Sequence, residues 1–378
     1  MKSTLLESVR IVDLTTREGW DCGRFLASLG AEVIRVDLPG ADTGEDWSIG
    51  QADKHCVAID YEGDGLPLLR ELIAGSAMVI ESFTPGHMDE LGLGHEALLA
   101  ANPRLVTVSI TPFGQTGPYA NLLGSELVVS AMSGSLSMSG YPDRAPVKEA
   151  GDALFYHAAM VAAAGGMAAL RHARLTGEGQ QVDVSAQEVA QIRNTISSMQ
   201  YQFDKNERGR IGIMMDSGRG PTRGIWDLKE GHAVASLMAP GSPGQKAAAM
   251  WMKEEGFPNP IEGVEANPFR PDPELVAKWL PALSDFLETR EREEVIEKAL
   301  TIDTGILPVN EPRHLLDDEH LADRGFLQKR EGDGPSVFPE FFVKTDKMDQ
   351  TRVNLPGAPV AVSSLADIAA IASEGEVR

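Results

Sequence analysis

The chain has 378 residues, enough for one large domain carrying a smaller one, or for two domains. Its 42% apolar and 24% charged residues are an ordinary globular composition, and no apolar run approaches the roughly 20 residues needed to cross a bilayer. With 34 basic against 56 acidic residues the net charge is −22, which opposes nucleic-acid backbones and anionic lipid surfaces and obliges any nucleotide-like ligand to find a local basic pocket.

The opening MKSTLLESVRIVDLTTREGW has neither a sustained apolar run nor an A-x-A site, so no signal peptide and a cytoplasmic location are expected. VRIVDL reads as a buried strand, GRFLASLG as an amphipathic helix closed by glycine, and AEVIRVDLP as the next strand, together a βαβ unit. HCVAIDY, GLPLLRELIAG, AMVIES, GHEALLAA and RLVTVSI continue the alternation of strand and helix, the signature of an α/β fold with a largely parallel sheet. FGQTGPY then falls at the carboxyl end of a strand, where open α/β sheets bind ligands, although a structural turn explains it as well. Asp152 opens a long Ala-rich helix, and LTGEGQQVDVS after it suits a glycine C-cap and turn. MMDSGRGPTRG looks like an exposed Gly-rich connection. HAVASLM and the charged stretch PELVAKWLPALSDFLETREREEVIEKAL suggest a smaller α+β domain, followed by short Pro-containing apolar pieces and an acidic tail expected to fray.

Familiar signatures are weak. GLGHEA fits the loose dinucleotide fingerprint but follows a loop rather than a strand, so it reads as a helix entry. No G-x-S-x-G elbow, H-E-x-x-H or other metal-spaced cluster is present, so no metal is expected. Cys22 and Cys56, the only cysteines, are too few for a disulfide framework or a thiolate site and suit buried free thiols.

Taken in order, LESVRIVDLT, LASLGAEVIRVDLPG, DKHCVAIDY, VIESFTPGHMDELGLGHEALLAANPRLVTVSITPFGQTGPY, SAMSGSLSMSG and LTGEGQQVDVSAQE resemble the family III CoA-transferases, the CaiB/BaiF family. The match is dense over residues 5 to 190 and resumes weakly at ILPVNEPRHLLDDEHLADRGF. The resemblance implies a Rossmann-like large domain over 1–200, a linker over 201–225, a small domain over 226–325 and a C-terminal part, 326–378, returning to the large domain. It further implies two interlocked chains. Family transferases attack an acyl-CoA thioester with an aspartate at the start of the helix leading to TGxGQ, passing through mixed anhydrides and an aspartyl-CoA thioester as CoA moves between carboxylic acids. No cofactor is then held permanently; the CoA thioester is a substrate.

In the family that aspartate stands 25 residues before the glutamine of TGxGQ, and counting back from Gln180 reaches Phe155. Asp152 could take over only after three residues were gained at the helix start, a rotation of about 300° and a displacement of roughly 4.5 Å. Its plainer reading is a helix-start carboxylate favoured by capping and dipole. Other places where the family carries basic or polar CoA contacts hold Leu38, Ser82, Thr84, Glu90, Leu122 and Leu123. The racemase His-Asp pair corresponds to Ser125 and Glu126. What remains for CoA is Arg17, Arg35, Lys54 and the aromatic Phe83. The resemblance thus points to a non-catalytic subunit of a heteromeric transferase of the benzylsuccinate CoA-transferase type, partnered by an Asp-bearing homologue. Two alternatives stay open: an active homodimer using Asp152, and a protein that binds a CoA ester without turnover. DSGRGPTRG, 216–224, is either a mobile loop over the site or a linker.

Overall fold

The computed structural model describes residues 5–193, 195–205, 207, 209–216, 221–235, 242–264, 272–329, 337–339, 343–344 and 354–375. They form two compact units, Met1–Ser137 with Lys148–Arg208 and Glu319–Arg378, and Met138–Val147 with Gly209–Asp318.

The first unit is built on seven strands: β1 (Arg10–Leu14), β2 (Glu32–Asp37), β3 (His55–Ala58), β4 (Met78–Glu81), β5 (Val106–Thr111), β6 (Gln181–Ser185) and β14 (Val360–Ala361). Their order is β14-β3-β2-β1-β4-β5-β6 and every pairing is parallel. Alternate side chains feed opposite layers, as the pleat requires. Ile11, Val33, Met78, Ile80 and Val108 join the core under the helices Trp20–Ser28 and Ala153–Thr176. Val12, Leu14, Ile34, Val36, Val57 and Val79 join the other, under the helix Leu66–Ala74 and Ile368. Both faces are covered, which explains why these strands read as continuous apolar runs rather than alternating ones.

The Ala153–Thr176 helix has 24 residues and a mean hydropathy of 1.5 in its most apolar window, so by length and composition it could span a bilayer. This corrects the expectation that no stretch reaches that length. Half of that window is buried; Ala158, Ala162 and their neighbours pack in the first core, and Gly166 is buried beside them. At Gly166 a Cβ would stand only 3.0 Å from the Met78 methyl, so small residues let the helix approach the sheet closely. In the following turn Gly177 adopts φ +83, and at Gly179 a Cβ would lie 2.1 Å from the Leu105 carbonyl oxygen.

Two stretches differ from the sequence reading. The expected frayed tail contains the helix Leu365–Gly375, whose Ile368 is buried in the second core. Asp367 anchors its start by accepting from the Ser363 and Ser364 amides at 2.9 and 3.0 Å and from the Ser363 hydroxyl. The expected irregular connection carries an antiparallel pair, β7 (Met214–Asp216) with β8 (Pro221–Arg223). Residues 217–220, the middle of DSGRGPTRG, lie outside the described residues. In the second unit β9 (Ile225–Asp227), β10 (His232–Ala235) and β11 (Ile306–Pro308) form an antiparallel sheet covering Trp226, Trp251, Trp279 and Phe286. In the first unit β12 (Leu327–Lys329) pairs with β13 (Val337–Pro339), whose Phe338 packs on Ala52.

Candidate active site

Strand order reverses between β1 and β4, with β2 and β3 on one side and β5 and β6 on the other. The crevice beyond the carboxyl ends of such a pair is where open α/β sheets receive ligands. Here the turn after β1 and the turn after β4 are tied together: the Thr16 amide donates to Ser82 Oγ at 2.6 Å, and the two hydroxyls lie 2.8 Å apart. Beside them Phe83 is half-buried, edge-on to His87 at 4.9 Å and tilted against Tyr61 at 6.3 Å.

Arg17, in the turn after β1, links that turn to the helix after β2 and to the start of the long helix. Its Nε donates to Asp152 Oδ2 at 2.8 Å and its Nη1 lies 2.9 Å from Asp46 Oδ2. The guanidinium is 59% exposed and the Asp152 carboxylate 43%. Asp152 occupies the N-cap position of the long helix, yet its side chain makes no capping bond. Glu126 caps the helix instead. This buried carboxylate accepts from the Leu154 amide at 2.8 Å and the Phe155 amide at 3.2 Å, satisfying two of the donors that a helix start leaves open. Phe155 is 6% exposed and belongs to the first core, while Tyr156 meets Phe25 edge-on at 5.1 Å.

Arg35 and Lys54 lie below the crevice. The Lys54 ammonium is fully buried and donates to Asp13 Oδ2, the Trp20 carbonyl and Gln51 Oε1, each at 2.7 Å. Arg35, also buried, donates through Nη1 to Asp13 Oδ1 at 3.3 Å and to the Thr15 carbonyl, and through Nε to Asp37 at 3.1 Å. Of the three cations expected to meet CoA phosphates, Arg17 is the exposed one. Burial alone would raise the Asp13 pKa, but Lys54 and Arg35 outweigh it and hold the carboxylate below its usual range.

Glu81, at the end of β4, is also buried, and its donors are the neutral Phe83 amide at 2.8 Å and the Ser109 hydroxyl. Burial pushes its pKa up to about 7, with a smaller contribution from Asp183. Asp183 in turn fixes FGQTGPY by accepting from the Gln115 amide at 3.1 and 3.0 Å. GLGHEA leads into the helix His95–Ala101 with Gly94 at its N-cap. A separate cavity of about 590 Å³ among Arg10, Glu32, Gly30 and Ala372 lies at the opposite, amino ends of β1, β2 and β3. Among the described residues no three His, Cys, Asp or Glu side chains are grouped to hold a metal.

The model of CoA-transferase family III matches residues 6–360. The chain belongs to that family. It is 30% identical over 353 residues to the succinyl-CoA:(R)-benzylsuccinate CoA-transferase subunit BbsE of Thauera aromatica, covering 86% of this chain and 83% of the relative. It is 28% identical over 382 residues to the succinyl-CoA–L-malate CoA-transferase alpha subunit of Chloroflexus aurantiacus, covering 94% and 86%. The crystal structure of a CaiB/BaiF family protein from Brucella suis superposes with a TM-score of 0.81 over 98% of this chain and 99% of that one, at 22% identity, and so shares the fold.

Sequence reasoning missed Asp46 as a partner of Arg17, the Thr16–Ser82 link, and Glu126 as the group holding the helix start. A lone glutamate inside the apolar stretch LLGSELVVSAM was the available signal for the last, since burying a carboxylate demands donors.

Proposed function

We propose that this chain is the non-catalytic subunit of a heteromeric CoA-transferase that moves CoA between carboxylic acids, interlocked with a homologous chain that bears the aspartate. The observation that carries this reading is Phe155. At the position where counting from Gln180 sets the nucleophile, the side chain is an apolar ring packed in the core, and its amide is bonded to Glu126. The internal ion pairs of Arg35 and Lys54, which leave little free positive charge for phosphates, agree with it. So do the exposed apolar side chains Leu122, Leu123, Leu127, Val128 and Met132, a surface of the kind that meets another protein. Both relatives described above carry subunit and succinyl-CoA in their names, which makes succinyl-CoA the donor to try first. In this assembly the partner's carboxylate attacks the thioester while this chain completes the pocket.

A second reading has its own support. Asp152 stands at the crevice, accessible and oriented by Arg17, which suits an active homodimer with a displaced nucleophile. The two separate in one assay of CoA transfer from succinyl-CoA, run with the chain alone and with a co-expressed Asp-bearing homologue. The subunit reading expects activity only in the pair, undiminished in Asp152→Ala. Turnover by the lone chain that disappears in Asp152→Ala would establish the homodimer. Tight CoA-ester binding without turnover in either preparation would favour a binding protein.

A further inference from the structure

Asp13, Lys54 and Arg35 are a larger investment in buried charge than a structural ion pair needs, because a well-packed apolar replacement of such a pair is often neutral or stabilising. Their contacts converge on one segment, the turn 15–20. Asp13 Oδ1 accepts from the Thr15 amide at 2.9 Å and the Thr15 hydroxyl at 2.7 Å, Arg35 takes the Thr15 carbonyl, and Lys54 takes the Trp20 carbonyl at 2.7 Å. All three polar groups of Thr15 are thereby bonded to the cluster, and the far end of the turn is fixed by the same ammonium that binds Asp13. The covering helix is shaped around it as well: at Gly23 a Cβ would stand 2.2 Å from Asp13 Oδ2 and 3.1 Å from Lys54 Cε. A helix interior disfavours glycine by about 1 kcal/mol relative to alanine, so glycine at this place is explained by the room the cluster needs.

We propose that Asp13, Lys54 and Arg35 are positioning residues that set the turn after β1 and thereby hold Arg17 in place against Asp46 and Asp152. Lys54 on this view works from beneath the crevice rather than as a contact of the CoA phosphates. The functional weight of the cluster rests on the reading that this crevice receives the CoA ester; its structural effect is measurable on the chain alone.

The test is hydrogen exchange followed by mass spectrometry on the full chain without ligand. In Asp13→Asn/Lys54→Met, which removes both charges and leaves neither partner buried alone, amides of residues 15–20 are expected to exchange at least about tenfold faster. The amides of β4 and β5 should keep their wild-type rates. Arg35→Lys keeps a cation but cannot reach both Thr15 and Asp37, and serves if the double variant does not fold; there the same segment should exchange about threefold faster. Unchanged exchange at 15–20 would overturn the proposal, and so would equal acceleration across the whole sheet, which would make the cluster a general stabiliser. Neither outcome bears on whether the paired chains transfer CoA, and absence of transfer would leave the exchange result intact.

Discussion

Asp13 is the last residue but one of β1 and Glu81 the last of the adjacent parallel strand β4, one residue apart in register, since Asp13 faces Ile80 and Leu14 faces Glu81. Both carboxyl groups are buried, and their ionisation is pushed in opposite directions. Asp13 points under the Trp20–Ser28 helix, where two cations and a hydroxyl meet it. Glu81 meets neutral donors only. Burial is common to both, so the charge of the partners decides which carboxyl stays ionised near neutral pH.

Removing that difference from the Asp13 side has the largest expected effect. Lys54→Met alone leaves a buried carboxylate short of its main partner, a change that typically destabilises by about 3–5 kcal/mol. For a fold whose net stability is on the order of 5–15 kcal/mol this is a large fraction, read as a lower midpoint in urea. A midpoint within experimental scatter of wild type would show that Arg35 and Thr15 suffice for Asp13. Acid adds a check of sign. Because the folded-state pKa of Asp13 is depressed, its contribution is present above the unfolded value of about 3.9 and is lost as pH falls through the lower folded value.

Glu81 gives the opposite slope at smaller size. Its folded pKa of about 7 lies above the free value of about 4.3, so between them the folded chain holds a proton that the unfolded chain has released. Stability therefore falls as pH rises across that window and stays lower above it. Glu81→Gln keeps an acceptor for the Phe83 amide and removes the titration; it should gain about 3–4 kcal/mol at pH 8 and nothing at pH 4. Unfolding curves at several pH values decide this, and a slope that survives in Glu81→Gln would assign it to another group.

The same contrast shows what could be read from sequence. The strands and the helices between them were legible because each is a local apolar run bounded by turn residues, and the register from Gln180 to Phe155 crosses one uninterrupted helix. The tail helix was missed because its start depends on Asp367 taking the amides of two serines, a detail hidden in an acidic stretch. Lys54 was read as a phosphate contact from its place in the family resemblance, and its burial against Asp13 left no mark in the local sequence. Its partner Asp13 is 41 residues away in the chain, and Arg35 meets the same carboxylate across 22. Such pairings are set by strand order, which local pattern does not contain. Glu126 and the helix start it caps are likewise 28 residues apart.

The smallest effect belongs to the charges above the crevice. Arg17 and Asp152 approach as closely as Lys54 and Asp13, at 2.8 against 2.7 Å, so distance alone would rank the two pairs together. Exposure separates them: solvent screens the upper pair, and ordering the long arginine side chain offsets much of the attraction, leaving about 0–1 kcal/mol. A cycle of Arg17→Ala, Asp152→Ala and the double variant should give a coupling near 0.5 kcal/mol that fades toward zero at about 1 M salt. Loss of Asp152 should not fray the helix either, because its side chain makes no capping bond and Glu126 holds the Leu154 and Phe155 amides. Coupling of about 2 kcal/mol or more, insensitive to salt, would mean that the pair is shielded from water as the lower one is. A weak pair can still matter for ligand access, since an arginine whose backbone is fixed and whose partner is weakly bound can exchange Asp152 for another carboxylate or a phosphate with little loss of stability.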